Sequence, residues 1–150
     1  MDTPSTAPID CSCPVCDTRL PFQPHGPPFE ASCPQCGYSL WCSRRTEDKA
    51  VVLKVVPGMT PEHADVERLC EALAQGGRAP NLILDLSDIE LIGSALTARL
   101  IALNKQIRAA GGRLVLCGLH RLVRDTFQGS RLDRVFEVAD DAQAALENLG

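Results

Sequence analysis

Aromatic residues are scarce in this sequence, which has one Trp, one Tyr and four Phe among its 150 residues. Any hydrophobic core must therefore be mainly aliphatic. Positive charge is also in short supply, because 15 Lys and Arg stand against 19 Asp and Glu, for a formal net charge of −4. This balance excludes a generally basic nucleic-acid binder, since phosphate recognition depends on an excess of Lys and Arg.

Long apolar runs and cofactor motifs are also missing. No run approaches the roughly 18 apolar residues that cross a bilayer, so we expect no membrane insertion. The first ten residues lack the apolar stretch of a secretory signal, and we therefore predict a cytoplasmic protein. The sequence contains no G-x-G-x-x-G, P-loop or G-x-S-x-G motif. We predict that the protein is not an enzyme.

Cysteine is abundant but unevenly distributed. Six of the eight cysteines lie between Cys11 and Cys42, and eight of the eleven prolines precede residue 35. In a reducing compartment, such clustered cysteines favour metal binding over disulfides. The composition then changes near residues 43–49 and becomes rich in Val, Ile and Leu. The predicted organisation is a flexible N-terminus at 1–10, a zinc ribbon at 11–42, a linker at 43–49 and an α/β domain at 50–150.

Two C-P-x-C turns sixteen residues apart carry the metal prediction. A two-residue spacing lets both thiolates of a tight turn face one ion, and two such turns supply four sulfurs at Zn–S distances of about 2.3 Å. Here the sequence resembles a zinc ribbon. Four thiolates leave no open coordination position, so we expect a structural rather than a catalytic Zn²⁺ ion. The predicted ligands are Cys13, Cys16, Cys33 and Cys36.

Other interpretations of this segment remain open at this stage. A redox dithiol is disfavoured, because that motif follows a strand in thioredoxin-like folds and nothing before Cys13 has strand character. Cys11 is an alternative first ligand in place of Cys13. Cys42 is expected to pack beside Trp41, and His25 is expected to be a solvated loop residue.

From residue 50 onward, short apolar runs alternate with helical periods. Four strands are predicted, at 50–56, 81–86, 113–117 and 135–138. Four helices are predicted, from an N-cap at Thr60 to about residue 75, then at 94–110, at 119–127 and from about 141 to 149. This alternation predicts an α/β fold, a mostly parallel or mixed sheet of four to five strands with about four helices.

The segment 82–100 is where a family resemblance is strongest. It resembles the central segment of STAS domains, the fold of bacterial anti-sigma factor antagonists, in which a strand ending in D-L-S leads to a D-S-S-G-L turn and a long helix. The R-x-x-G-G that ends this helix in the family matches residues 108–112. Residues 132–136 resemble the family's L-D-x-x-F. The resemblance spans about residues 50–149 and implies a STAS-like fold.

The same resemblance implies a phosphorylation site. In the family, the first serine of the turn is phosphorylated by a serine-kinase anti-sigma factor, and Ser94 occupies its position. The turn differs from the family pattern, because Gly93, Ala95 and Leu96 replace the aspartate, the second serine and the glycine. We expect these residues and Asp88 to form the partner-binding surface. A competing interpretation makes Ser94 a helix N-cap, worth about 1 kcal/mol.

Three functions follow from these observations. The first is a non-catalytic regulatory module that binds a kinase-type anti-sigma factor and is switched by phosphorylation of Ser94. The second is a constitutive STAS-type interaction subunit, for example of a lipid-transport or signalling complex. The third, nucleic-acid binding through the ribbon, is disfavoured because residues 1–49 contain four basic and six acidic residues.

Overall fold

The described part of the chain folds around one five-stranded sheet. The computed structural model describes residues 11–24, 31–47, 50–75 and 80–149, so the predicted flexible N-terminus and His25 lie outside the described residues. The strands are β1 (Cys42–Thr46), β2 (Val51–Val55), β3 (Asn81–Asp85), β4 (Arg113–Cys117) and β5 (Glu137–Ala139). The helices are α1 (His63–Ala74), α2 (Ser94–Ala109), α3 (Arg121–Gly129) and α4 (Ala142–Leu149), and a 3₁₀ turn covers Leu132–Arg134.

The strands lie in the order β1-β2-β3-β4-β5. β1 pairs antiparallel with β2, whereas the pairs from β2 to β5 are all parallel. The parallel connections run through helices, as expected for strands that alternate with helical segments. The predicted mixed α/β architecture is confirmed.

Alternate residues of the strands face two separate cores. Leu53 and Val55 point to the larger core, which α1, α2 and α3 cover. Val52 and Ile83 point to the opposite face, where α4 packs through Ala145. Among the described residues, no helix has both the length and the apolar character needed to span a membrane.

The helix and strand boundaries differ from the predicted ones where local hydrogen bonds decide them. The N-cap of α1 is Glu62 rather than Thr60, because Glu62 and Asp65 form a reciprocal capping box. The last strand is Glu137–Ala139 rather than 135–138, because the N–H of Val135 donates to the carbonyl of Leu132 and continues the 3₁₀ turn. Asp141 caps α4, since its Oδ1 accepts from the N–H of Ala144 at 2.8 Å.

The predicted linker at 43–49 is the main error in the fold. Residues 43–46 belong to β1 and pair with β2 residue by residue. On its other edge, β1 exchanges two backbone hydrogen bonds between Ser12 and Arg44, at 2.8 and 2.9 Å. The side chains of Arg44 and Arg45 pair with Asp17 at 3.6 Å and with Glu47 at 2.7 Å. The strand therefore joins the cysteine-rich segment to the sheet.

The cysteine-rich segment also packs against α1 through two aromatic side chains. Tyr38 and Trp41 are each 1% exposed. The indole N–H of Trp41 donates to Tyr38 Oη at 2.9 Å, and the Tyr38 hydroxyl donates to the carbonyl of Asp65 at 2.6 Å. The guanidinium of Arg68 lies 5.6 Å from the centre of the Tyr38 ring. The ribbon and the α/β domain thus share one core and are not independent bodies.

We predict that Tyr38→Phe lowers the free energy of unfolding by about 1–3 kcal/mol. The phenyl ring keeps the packing, but the buried indole N–H of Trp41 loses its acceptor and the carbonyl of Asp65 loses a donor. Urea unfolding in reducing buffer measures the change. Ser32→Ala removes an exposed hydroxyl from the same segment and is the control. Equal stability of Tyr38→Phe and the native chain would contradict the docking role of the hydroxyl.

Candidate functional site

The cysteine-rich segment is an internal repeat of two knuckles. Residues 11–20 and 31–40 share the pattern S-C-P-x-C-x-x-x-L, with the second copy twenty residues after the first. The sequence analysis used only the duplicated C-P-x-C turn and missed this longer signal. The repeat aligns Cys11 with Ala31, so the position of Cys11 carries no ligand in the second copy. The thiol of Cys11 is buried and donates to the carbonyl of Phe22 at 3.6 Å.

The two knuckles have the same backbone geometry. In each, the N–H of the first cysteine donates to the carbonyl five residues later, at 2.9 Å in both copies. The residue before that carbonyl takes the left-handed conformation, with φ of 61° at Asp17 and 78° at Gly37. Glycine adopts this conformation without the steric cost that a Cβ brings, and Asp is among the residues that tolerate it best. Each knuckle therefore folds back on itself and presents its two cysteines on one side.

The two knuckles bring four sulfurs together. The Sγ atoms of Cys13, Cys16, Cys33 and Cys36 all lie within 4.8 Å of one another. The distances from Cys13 to Cys36 and from Cys16 to Cys33 are both 3.6 Å. Four sulfurs bound tetrahedrally to one ion at about 2.3 Å stand about 3.8 Å apart. The cluster therefore has the size of a single tetrahedral metal site, and Cys11 lies outside it.

Backbone N–H groups support the sulfurs that lie deepest. Cys13 Sγ accepts from the N–H of Val15 at 3.4 Å. Cys33 Sγ accepts from the N–H groups of Gln35 and Cys36, at 3.3 and 3.5 Å. Such donors orient metal-bound thiolates and offset their negative charge. These hydrogen bonds are an additional reason why the four sulfurs fit a metal ion.

The four thiols differ in exposure and acidity. Cys13 and Cys33 are buried, Cys36 is half-buried and Cys16 is exposed. Burial raises the pKa of the Cys13 thiol and also that of Cys36. Burial is the largest influence on Cys16 too, but hydrogen bonds with Thr18 and with the neighbouring thiols outweigh it and lower the pKa of Cys16 to about 6. Because metals bind the thiolate, this lowered pKa of Cys16 favours the ligating form.

Like Cys11, the cysteines at positions 42, 70 and 117 are not part of the cluster. Burial raises the pKa of Cys42 well above its ordinary value, and Cys42 packs in the core directly after Trp41. Burial also raises the pKa of Cys70 to about 11 and that of Cys117 to about 12. These thiols stay protonated at neutral pH and behave as small apolar side chains.

Ser94 is the first helical residue of α2, and it is exposed. The N-cap is Gly93, with φ −92° and ψ 170°, and no side chain caps this helix end. The interpretation of Ser94 as an N-cap is therefore wrong. The hydroxyl of Thr97 donates to the carbonyl of Gly93 at 2.8 Å and holds the first turn. The Ser94 hydroxyl is consequently presented to solvent at the positive end of a 16-residue helix.

An apolar groove of about 430 Å³ lies beside Ser94, between α2 and the end of α3. Its walls are largely aliphatic, with Ile92 and Ile101 on one side and Leu132 on the other. Leu91, just before the groove, is 73% exposed. Exposed apolar surface of this kind is typical of protein-binding sites.

Comparison with known proteins shows the family to which the chain belongs. The sequence profile of the STAS domain family matches residues 46–145. The chain belongs to the STAS domain family. Both knuckles precede the matched range.

The relatives of this STAS protein include anti-sigma factor antagonists. BtrV of Bordetella bronchiseptica, whose name assigns it to that group, is 34% identical over 91 residues, which cover 61% of this chain and 76% of BtrV. An anti-sigma factor antagonist from Mycobacterium paratuberculosis has the same fold, with a TM-score of 0.55 and 21% identity over 79% of this chain and 98% of its own. A chain of the stressosome, a signal integration and transduction hub, matches with a TM-score of 0.54 and 26% identity over 71% of this chain and 94% of its own.

The other residues predicted to form the STAS partner surface lie in different environments. Ala95 is exposed beside Ser94. Leu96 is 7% exposed and packs in the core, because it lies on the inward stripe of α2. Its inclusion in the partner surface was wrong. Asp88 is exposed in the loop before α2 and pairs with Lys54 at 3.5 Å.

The loop that leads to Ser94 is anchored to the sheet at its start. The N–H of Ser87 donates to Asp85 Oδ1 at 2.9 Å. The carbonyl of Ser87 accepts from His120 Nε2 at 2.6 Å, which places the proton of this imidazole on Nε2. The contact ties the loop after β3 to the residue that precedes α3.

We predict that Gly37→Ala destabilises the protein by about 1–2 kcal/mol, because a Cβ disfavours the left-handed conformation. A Cβ at Gly37 would meet no atom within 4 Å, so the cost comes from the backbone conformation alone. Gly129→Ala is the matched control, since its Cβ also enters open space and its φ is not positive. Thermal unfolding of both variants measures the difference, and equal stability would contradict the proposed knuckle geometry.

Proposed function

We propose that this protein is an anti-sigma-antagonist-like regulator that binds a serine-kinase anti-sigma factor and is released when Ser94 is phosphorylated. The observation that carries the proposal is the exposed Ser94 hydroxyl at the start of α2, beside the apolar groove. The kinase would contact Ser94 and the groove in one docking event. The family resemblance of the turn and the BtrV relationship support the choice of partner.

The electrostatics of α2 suit a phosphorylated Ser94. The first turn of α2 contains no acidic residue, so no carboxylate of that turn would repel the phosphate. The free N–H groups of a helix N-terminus favour an anion, and a phosphate brings nearly two negative charges. The helix would therefore tolerate the modification, while a partner packed on the adjacent apolar groove would meet a charge that it cannot solvate. Phosphorylation would weaken the complex without unfolding the antagonist.

Gly93 is the departure from the family turn that bears most directly on the kinase. A Cβ at Gly93 would meet no atom within 4 Å, and its φ of −92° is open to any residue. The fold therefore does not require glycine here. An aspartate would fit and would also be a good N-cap, with a gain of a few tenths of a kcal/mol. The absence of the family aspartate thus affects the recognition of the turn and not its conformation.

The test uses the purified 150-residue chain, ATP and a panel of serine-kinase anti-sigma factors from the organism that encodes this protein. We expect one kinase to bind the native chain and to phosphorylate Ser94, as mapped by mass spectrometry. Ser94→Ala should keep binding and lose phosphorylation, and Ser94→Asp should weaken binding at least tenfold. Gly93→Asp should raise the phosphorylation rate.

Gln128→Ala, at an exposed position of α3, is the control for the effects of protein preparation and folding on binding and phosphorylation. Phosphorylation at another residue, or unchanged binding of Ser94→Asp, would overturn the switch.

A second candidate is a constitutive STAS interaction subunit without phosphorylation. Gly93 and Ala95 favour it, because they remove the acid and the second hydroxyl of the family turn. In the same assay, stable binding of a partner with no phosphate on Ser94 would support this function. Nucleic-acid binding has less support, because Arg44 and Arg45 of β1 are engaged with acidic side chains.

We further propose that the four-cysteine cluster binds one Zn²⁺ ion in a reducing cytoplasm. Four thiolates in tetrahedral arrangement suit zinc, and iron is the main competitor for such a site. The bound ion would supply much of the folding free energy of the knuckles, whose short turns contain little apolar surface. Its role would be structural, since it holds Tyr38 in place against α1.

We predict that the reduced protein binds one equivalent of zinc and that Cys16→Ser or Cys36→Ser abolishes tight binding. Each substitution leaves three thiolates, and neither residue is fully buried, so packing changes little. Elemental analysis after gel filtration measures the zinc content. Cys70→Ser changes a half-buried cysteine outside the cluster and should retain the metal. Zinc that persists in both cluster variants would place the site elsewhere.

A further inference from the structure

We propose that the four-cysteine cluster is also a reversible oxidation site, in which the sulfur of Cys16 attacks a peroxide and Cys33 completes the disulfide. This inference rests on the metal-binding part of the proposed function. Cys16 is the exposed cysteine of the cluster, and its sulfur lies 3.6 Å from that of Cys33 in the other knuckle. The exposed thiol is thus already placed beside a second thiol.

Metal binding and this disulfide exclude each other. A disulfide brings its two sulfurs to about 2.05 Å, whereas two sulfurs on one tetrahedral ion stay about 3.8 Å apart. Formation of the Cys16–Cys33 bond must therefore remove both sulfurs from the ion. The two thiols that remain, of Cys13 and Cys36, are too few for a closed structural site. Oxidation would release the metal rather than rearrange it.

The chemistry needs one peroxide for each disulfide. The sulfur of Cys16 attacks one peroxide oxygen, the O–O bond breaks, and the departing oxygen leaves as water while Cys16 becomes a sulfenic acid. The thiol of Cys33 then attacks the Cys16 sulfur, and the sulfenic oxygen leaves as a second water. Two thiols lose two electrons in total, which reduce one hydrogen peroxide to two waters. A dithiol reductant reverses the reaction.

The structural consequence concerns the contact with α1. The second knuckle carries Cys33 and Cys36 as well as Tyr38. The hydroxyl of Tyr38 accepts from the indole N–H of Trp41 and donates to the carbonyl of Asp65. Loss of the metal removes the constraint that holds this knuckle closed. We expect Trp41, which is 1% exposed, to become solvated. Because it is the only tryptophan in the chain, its fluorescence reports this change alone.

The experiment treats the reduced, zinc-loaded full chain with hydrogen peroxide. We expect release of one zinc per chain, one Cys16–Cys33 disulfide in peptide mass spectrometry, and a red shift of Trp41 emission. Reductant and added zinc should reverse all three changes. The disulfide map is measured on the native chain, so it tests the proposal even if a variant fails to fold.

Two histidine variants provide a matched comparison, because Cys₃His sites also hold structural zinc. Cys16→His removes the exposed thiol and should slow peroxide-induced zinc release at least tenfold. Cys36→His keeps the Cys16–Cys33 pair and should release zinc as fast as the native chain.

The outcomes separate the two proposals. A reduced protein that binds no metal would overturn both the metal site and the switch. Zinc retained at peroxide doses that already oxidise Cys70 would overturn the switch alone. A disulfide between other cysteines, or equal release rates for Cys16→His and Cys36→His, would also overturn the switch and leave the metal site standing.

Discussion

The hydrogen bonds that run from the indole of Trp41 through the hydroxyl of Tyr38 to the carbonyl of Asp65 join the two parts of this molecule. The first of these bonds is buried and the second is partly buried, so the indole N–H and the Tyr38 hydroxyl depend on their partners for satisfaction. Tyr38 belongs to the second knuckle, and Asp65 lies in the first turn of α1. Specific hydrogen bonds, together with the shared apolar core, therefore set the position of the knuckle on the STAS domain.

β1 makes this docking possible. It pairs with β2 on one edge and with the backbone of Ser12 on the other, so the same strand belongs to the sheet and to the ribbon. An edge strand with unpaired backbone groups is a site for unwanted association. Here, the first knuckle covers part of that edge. The cysteine-rich segment therefore contacts the sheet through Ser12 and α1 through Tyr38.

Much of the fold and of the candidate site could be predicted from local patterns. The C-P-x-C turns indicated which four cysteines come together, because the turn geometry depends on residues within one knuckle. The strands β2, β3 and β4 followed from short aliphatic runs, and Ser94 was correctly predicted to begin α2. The errors lie where partners are distant in sequence. β1 has two arginines and little apolar character, so only its pairing with Val51–Val55 makes it a strand.

The sequence by itself determined the family, the sulfur cluster and the order of strands and helices after β1, since each depends on spacing within a short segment. The tertiary structure alone decided three further points. It buried Leu96 and left Ser94 exposed beside an apolar groove, because the rotation of α2 is set by its packing against the sheet. It made Gly93 the cap of α2, and it joined the ribbon to α1 through Tyr38. These contacts bring together residues that are far apart in the chain, and no local pattern encodes their geometry.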